Sequence, residues 1–213
     1  MHETLDALKQ SLLDLDMDGA LTQARSLVAG APGGTAQDGI NAVADALQVV
    51  GKRFQDGEWF VGELVYAGEI ARSALQVLSA NLGAGATRRL GTIVVGTVAG
   101  DLHDLGKNIF VTFARSSGFE IIDLGVNVAP ARFVDAAKTH QPLAVGLSCL
   151  LTVTAGEVGK VIEALRAAGV RDRVKVIIGG AAMTAEFARE IAADAFAPDA
   201  VTGTGIVKGW SAA

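Results

Sequence analysis

The second half of the chain alternates short apolar runs with segments of helical periodicity, and this alternation limits the possible folds more than any other feature. The first run has no polar alternation, which is typical of a strand buried on both faces. Strands that alternate with helices predict an α/β fold with a doubly wound, five-stranded parallel sheet, Rossmann- or flavodoxin-like. The predicted strands are Gly91–Thr97, Glu120–Leu124, Leu143–Ser148, Val174–Ile178 and Asp194–Ala197, and the predicted helices are Lys107–Ser117, Pro130–Thr139, Ala155–Ala168 and Thr184–Ala192.

The first part of the chain has helical periodicity alone. Four helices with short connections predict a small bundle. The glycine-rich stretch Gly83–Thr87 has the composition of a linker. We therefore expect a helical domain at residues 1–86 and an α/β domain at residues 87–213. The predicted helices cover about Leu5–Leu15, a segment capped by Asp18 that ends at Gly30, Ala36–Phe54 up to an interruption at Gly57, and Trp59–Leu82.

Charge and cysteine content exclude several classes of protein. The net charge of -5 argues against nucleic acid as a partner, because a phosphate backbone attracts a basic surface. The single cysteine, Cys149, rules out an intrachain disulfide framework and a zinc site built from cysteines. The first residues do not resemble a signal peptide, and no apolar run approaches the ~18 residues of a membrane span. These features predict a soluble, cytoplasmic protein without a membrane partner.

One histidine stands between two aspartates in a glycine-rich stretch directly after the first predicted strand. In parallel sheets, ligands bind at the carboxyl ends of the strands, where this stretch lies. Asp101 can accept a hydrogen bond from one ring nitrogen of His103, which leaves the other nitrogen free as an acceptor or a metal ligand. No other His or Cys is placed to complete a four-ligand site. A single imidazole suits a cofactor that carries its own metal.

The ends of the third and fourth predicted strands carry small and polar residues. Gly179 and Gly180 indicate either a tight turn or a place where a bulky ligand approaches the backbone. The hydroxyls of Ser148, Thr152 and Thr154 either line a polar pocket or cap a helix. Phosphate-binding and hydrolase motifs are absent here: there is no Gly-x-Gly-x-x-Gly or Walker sequence, and Gly146–Leu150 lacks the second glycine of a nucleophile elbow.

Taken together, Asp101-x-His103-x-x-Gly106, Ser148-x-Leu150 and Gly179-Gly180 resemble the signature of cobalamin-binding domains that hold the cofactor base-off, with a protein histidine on cobalt. The helical half is similar as well, because Phe54–Leu64 resembles the cap segment of methyl-carrying cobalamin proteins. The resemblance covers about Leu5 to Ala200. The proteins that the chain resembles are the corrinoid proteins of methanol, methylamine and aryl-ether methyl transfer systems and the cobalamin module of methionine synthase.

The resemblance implies a role for each matching residue. His103 is the lower axial ligand of cobalt, Asp101 bonds the far side of its ring, and Thr154 extends that network. The remaining residues implied to bind the cofactor are Leu102, Asp104 and Gly106 in the histidine loop, Ser148, Leu150 and Thr152 around the displaced dimethylbenzimidazole, Gly179 and Gly180 beside the nucleotide tail, and Phe54 and Val61 over the upper face. The implied cofactor is cobalamin, in its methyl or hydroxo form.

The function implied is that of a methyl carrier without substrate turnover of its own. Its partners would be a substrate:corrinoid methyltransferase, a second methyltransferase with a tetrahydrofolate or thiol acceptor, and a reductive activase. A cobalamin-dependent sensory module is the alternative; it is disfavoured because such modules carry Trp where Phe54 stands and Glu-His where Leu64-Val65 stand. An adenosylcobalamin mutase subunit and a purely structural histidine are further alternatives.

The sequence departs from the family pattern in two places. Gly62 stands where the cap often has proline, which predicts a looser start of the fourth helix. The glycine-rich segment Val201–Trp210 stands where relatives finish with a regular helix, and it predicts a short or frayed end.

Overall fold

The computed structural model of the chain describes residues 3–30, 32–80 and 90–212. These residues form two compact units, one within residues 1–88 and the other within residues 89–213. The predicted linker Gly83–Thr87, together with the boundary predicted at residue 86, lies outside the described residues.

The first unit contains the helices α1 (Glu3–Leu13), α2 (Met17–Val28), α3 (Ala36–Gln55) and α4 (Val61–Ser79). Helix α1 packs against α2 and α3, and α4 packs against the same two helices. Their shared core is built from leucine, valine, isoleucine and alanine, because close helix packing favours small and branched side chains. The largest fully buried side chains of this core are Leu8, Leu12, Val43, Leu64, Ile70 and Leu78.

Local sequence explains where these helices begin and end. Thr35 and Asp38 form a reciprocal capping box at the start of α3, in which each side chain accepts the backbone N–H of the other residue. Gly57 follows α3 with φ +76°, a conformation that favours glycine, so the predicted interruption is confirmed. The predicted cap of the second helix was wrong: Asp16 accepts the N–H of Gly19, whereas Asp18 lies inside the first turn.

The second unit contains the predicted parallel sheet. Its strands are β1 (Gly91–Thr97), β2 (Phe119–Asp123), β3 (Ala144–Ser148), β4 (Lys175–Gly179) and β5 (Ala195–Ala197), in the spatial order β2-β1-β3-β4-β5. All four strand pairings are parallel. Five helices connect or follow them: α5 (Leu105–Ser116), α6 (Pro130–His140), α7 (Ala155–Ala167), α8 (Ala185–Glu190) and α9 (Ala200–Ser211). The predicted fold class is confirmed.

The C-terminal segment is a regular helix, so the short or frayed end predicted from its glycines was wrong. Asp199 caps α9 by accepting the N–H and the hydroxyl of Thr202. Gly203 is buried, and a Cβ at this position would lie only 3.2 Å from Cβ of Ala197 and 3.3 Å from the ring of Phe110. The glycine therefore permits close packing, which offsets its low helix propensity.

Apolar side chains cover both faces of the sheet. Along β1, Ile93 and Val95 belong to one buried cluster, whereas Val94 belongs to the cluster on the other face, with Phe133. This explains the absence of polar alternation in that strand. The strand order changes direction between β1 and β3, and ligand sites of open parallel sheets form at such switch points. None of the helices in the described ranges is long and apolar enough to cross a membrane.

Candidate functional site

Three loops meet at the carboxyl edge of the sheet because β1, β3 and β4 are parallel neighbours. The N–H of Val98, just after β1, donates to the carbonyl of Ser148 at 3.1 Å. The N–H of Cys149, just after β3, donates to the carbonyl of Gly179 at 3.0 Å. The loops that carry Asp101, Leu150 and Gly180 are thereby held side by side.

Asp101 is a buried carboxylate at this edge, with a side chain that is 0% exposed. One carboxylate oxygen accepts the backbone N–H and the ring Nδ1 of His103, at 3.0 and 2.7 Å. The other accepts the backbone N–H groups of Leu150 and Leu151, at 2.6 and 3.2 Å. Burial alone raises the pKa of Asp101, but these hydrogen bonds outweigh it and lower the pKa to about 2. The carboxylate is therefore ionised at neutral pH.

The side chain of His103 is half exposed, and its ring contacts the buried Asp101 through Nδ1. An ionised carboxylate can only accept hydrogen bonds, so the contact between Asp101 and Nδ1 places the ring proton on Nδ1. Nε2 then carries the free lone pair. The carbonyl of His103 accepts a hydrogen bond from the hydroxyl of Thr97, at 3.0 Å. Histidines that ligate metals in proteins usually donate their other ring N–H to a carboxylate in this way.

Large apolar side chains are exposed in the segments that follow β1 and β3, near this imidazole. Leu102 and Leu105 flank His103 in the sequence and are 69% and 56% exposed. Leu150 is 40% exposed, and Val153, in the short 3₁₀ helix Thr152–Thr154, is 87% exposed. Exposed apolar surface next to a polar group indicates a binding site. Leu105 and Val153 were not predicted, although apolar residues at a ligand-binding edge were a usable signal.

A cavity of about 490 Å³ opens at the same edge. Its walls come from the ends of β3 and β4, from the start of α5, and from the segment between β5 and α9. Of the predicted cofactor-binding residues, it brings together Gly106, Ser148, Leu150, Gly179 and Gly180. The predicted residues Asp101, Leu102, His103, Asp104 and Thr152 lie in the adjoining loops and do not line it. Lining residues that the sequence did not reveal include Lys107, Phe110, Met183, Phe196 and Pro198.

At the end of β4, Gly179 and Gly180 each lie close to a backbone atom of a neighbouring segment. Gly180 has φ +114°, and a Cβ there would overlap the backbone carbonyl oxygen of Cys149. A Cβ at Gly179 would lie 3.2 Å from the carbonyl oxygen of Ala197. Both neighbours are backbone, which cannot rotate away as a side chain could. The close approach of the loops after β3 and β4 therefore requires glycine at Gly180.

Thr154 contacts the network through the backbone of the loop after β3. Its hydroxyl donates to the carbonyl of Leu151 at 3.0 Å and lies 3.3 Å from the thiol of Cys149. The N–H of Leu151 in turn donates to Asp101, so Thr154 and the carboxylate bind opposite backbone groups of the same residue. Burial raises the pKa of the Cys149 thiol, which keeps it protonated.

Lys107 is a buried cation that the sequence did not single out. Its side chain is 2% exposed, and Nζ donates to Asp123 at 2.7 Å and to Asn108 at 2.8 Å. A buried ammonium requires such partners. The pair fastens the first turn of α5 to the end of β2, next to the histidine loop.

Phe54 and Val61 belong to the helical unit. Phe54 lies in the last turn of α3 and is half-buried, and Val61 is the first residue of α4 and is exposed. Their predicted place over the upper face of the cofactor stays a prediction. Gly62 lies in the first turn of α4, where Glu63 accepts the N–H of Phe60 at 2.6 Å.

Comparisons with known proteins agree with this geometry. Residues 91–205 match the B12 binding domain family, and residues 4–79 match a second family that is also described as a B12 binding domain. Dimethylamine corrinoid protein 2 of Methanosarcina mazei is 41% identical over 161 residues, which is 75% of this chain and 75% of that protein. Dimethylamine corrinoid protein 3 of Methanosarcina acetivorans is 37% identical over 204 residues, which is 94% of this chain and 91% of that protein.

Solved structures resemble the fold over nearly the whole length. A cobalamin-binding protein from Desulfitobacterium hafniense DCB-2 has a TM-score of 0.81 and 39% identity, and covers 97% of this chain and 98% of its own. The methanol:cobalamin methyltransferase complex of Methanosarcina barkeri has a TM-score of 0.84 at 21% identity, covers 99% of this chain and 80% of its own, and shares the fold. The chain belongs to the family of corrinoid proteins with B12 binding domains, and its cofactor is cobalamin. The resemblance predicted from the sequence is confirmed.

Proposed function

We propose that this protein is a methyl-group carrier that binds cobalamin. The dimethylbenzimidazole base of the cofactor is displaced, and Nε2 of His103 takes its place as the lower axial ligand. The protein accepts a methyl group from a substrate:corrinoid methyltransferase. It passes the group to a second methyltransferase with a tetrahydrofolate or thiol acceptor, and a reductive activase is the third partner. The observation that carries the proposal is the pairing of His103 with the buried, ionised Asp101.

The side chains around His103 have the chemical character that a cobalamin site requires. The corrin ring has broad apolar faces, and Leu102, Leu105 and Val153 expose apolar surface beside the free nitrogen of His103. A ring that covered these side chains would remove them from water. This burial would favour binding by roughly 25 cal/mol of free energy per Å² of apolar surface. The metal comes with the cofactor, so the protein has to supply one donor atom.

Asp101 would orient the imidazole of His103 and strengthen Nε2 as a donor. Bound cobalamin supplies the cobalt atom that accepts and releases the methyl group. The carboxylate of Asp101 holds the proton on Nδ1, which makes Nε2 a better donor. The same oxygen of Asp101 also accepts the backbone N–H of His103, so the carboxylate would hold the ring and the backbone of this residue together.

The cavity at the ends of β3 and β4 is the proposed place of the displaced nucleotide tail. Ser148 offers a hydroxyl at its wall, and Leu150 offers apolar contact. Gly179 and Gly180 present bare backbone to the same space. In this proposal Thr152, Leu102 and Asp104 shape the two loops that border the cofactor, and Gly106 lies in the cavity wall at the start of α5. Phe54 and Val61 protect the reactive face of the cofactor, and Thr154 supports Asp101 by holding the backbone of Leu151.

Axial ligation is tested by electron paramagnetic resonance of the Co(II) form. The protein is loaded with cobalamin and produced with histidine that carries the heavy nitrogen isotope. We expect a nitrogen splitting that changes with the label and is lost in His103→Ala. His140→Ala is the matched control, because His140 is the exposed last residue of α6 and should leave the splitting unchanged. A splitting that does not change with the labelled histidine would mean that the cofactor keeps its own base on cobalt, and the proposal would fail.

The class of methyl donor is tested separately. The names of the dimethylamine corrinoid relatives support a methylamine as donor. The reduced, loaded protein is mixed with dimethylamine and a dimethylamine:corrinoid methyltransferase, or with methanol and its methyltransferase. We expect the absorption spectrum of methylated cobalamin in the first mixture. Methylation in the methanol mixture alone would refute the methylamine donor, and no methylation in either would refute the carrier role.

A further inference from the structure

Thr97 is a fully buried polar residue at the last position of β1, and the mechanism above does not use it. Its relative exposure is 0%, although threonine is seldom fully buried. Its hydroxyl donates to the backbone carbonyl of His103 at 3.0 Å, across six positions of the chain. The contact connects the rigid end of a core strand to the residue that carries the free imidazole nitrogen.

The geometry of the histidine loop explains what this bond adds. The backbone N–H and the ring Nδ1 of His103 both bind the same oxygen of Asp101. Two bonds to one atom leave the residue free to pivot about that atom. The Thr97 bond holds His103 from its carbonyl side and does not involve Asp101. With both anchors in place, the backbone of His103 is held on its carbonyl side and the ring is held at Nδ1, which limits the directions open to Nε2.

Thr97 is itself held rigidly. Its backbone N–H donates to the carbonyl of Gly125 at 3.0 Å, and its carbonyl accepts the N–H of Val128 at 2.9 Å. It also pairs with Ser148 of β3 in the parallel ladder. A β-branched side chain in a strand has few rotamers, so the hydroxyl has a defined position.

We propose that Thr97 is a positioning residue that aims Nε2 of His103 at the cobalt of bound cobalamin. This inference rests on the proposed axial role of His103. Loss of the hydroxyl leaves the His103 carbonyl without its partner, and the loop gains the freedom to pivot about Asp101. The histidine then competes less well for the axial position, while the cavity for the nucleotide tail is unchanged.

The test compares variants that differ in the hydroxyl alone. Thr97→Val keeps the shape of the side chain and removes the hydroxyl, whereas Thr97→Ser keeps the hydroxyl. Thr97→Ala, compared with Thr97→Ser, provides a second pair in case valine disturbs folding. Thr92→Val is the control on the same strand, because the Thr92 hydroxyl contacts Glu120 at the other end of β1. The folding of each variant is checked by its melting temperature without cofactor.

The measured quantity is the competition between the histidine and added imidazole for Co(II). With heavy-nitrogen histidine in the protein and ordinary imidazole in solution, the two ligands give different splittings. We expect Thr97→Val to need roughly fivefold less imidazole for half replacement, which corresponds to about 1 kcal/mol, the net contribution of one hydrogen bond. Thr97→Ser and Thr92→Val should stay close to the unmodified protein.

Two results would overturn the inference. The first is an unchanged competition in both Thr97→Val and Thr97→Ala. The second is an equal loss in Thr97→Ser and Thr97→Ala, since the effect would then come from the missing methyl group. If the unmodified protein shows no splitting from its own histidine, the proposed function fails together with this inference, and that outcome is distinct from the other two.

Discussion

Gly180→Ala should destabilise the α/β unit far more than an ordinary replacement of glycine. A backbone φ of +114° is unfavourable for any residue with a Cβ, at a cost of roughly 1–2 kcal/mol. The new Cβ would also overlap the carbonyl oxygen of Cys149. Relief requires a shift of that peptide, and overpacking of this kind costs about 1–3 kcal/mol. We expect a total loss of about 2–5 kcal/mol.

Gly169→Ala is the matched control for the backbone contribution. Gly169 has φ +69°, and a Cβ there would have nothing within 4 Å. Its replacement should cost only the backbone share, roughly 1–2 kcal/mol. The difference between the two variants isolates the overlap with Cys149.

The assay is urea unfolding followed by tryptophan fluorescence. The chain has two tryptophans, and Trp210 lies in α9 of the α/β unit. In a Trp59→Phe background, Trp210 reports the unfolding of that unit alone. Equal losses for Gly180→Ala and Gly169→Ala would refute the reasoning, because the close approach of Cys149 to Gly180 would then carry no energetic weight.

Three further predictions concern other parts of the molecule. Because the folded pKa of Asp101 is lowered to about 2, its contribution to stability is present above about pH 4 and is lost as the pH falls towards 2; melting curves of the unmodified protein and Asp101→Asn should therefore converge in acid. Phe133→Ala should cost about 3–5 kcal/mol in urea unfolding, since this ring is fully buried, and a cost below ~1 kcal/mol would contradict its place in the core. Thr35→Ala should cost about 1 kcal/mol by removing one half of the α3 capping box, as measured by circular dichroism, and Gln37→Ala in the same turn should not.

The strands and the histidine loop could be predicted because their signals are local. The apolar run Gly91–Thr97 indicates a buried strand, and parallel strands place their carboxyl ends at one edge. The spacing of Asp101 and His103 puts a carboxylate within reach of an imidazole, and the two groups are 2.7 Å apart in the structure.

The supporting contacts could not be predicted because they use groups that every residue has. The N–H groups of Leu150 and Leu151 bind Asp101 irrespective of the side chains at these positions. The Thr97 hydroxyl binds the backbone carbonyl of His103, and any residue at that position would offer the same carbonyl. The order of α9 was missed for a related reason, because Gly203 shows its value only through the closeness of Ala197 and Phe110.

A chain with one cysteine cannot join distant loops through an internal disulfide. Here the carboxylate of Asp101 connects the loop after β1 to the loop after β3. It connects positions that are 49 and 50 residues apart through hydrogen bonds alone. Opening of the loop after β1 must therefore release the loop after β3 at the same moment. In hydrogen exchange, the backbone amides of His103, Leu150 and Leu151 should exchange with solvent as one cooperative unit.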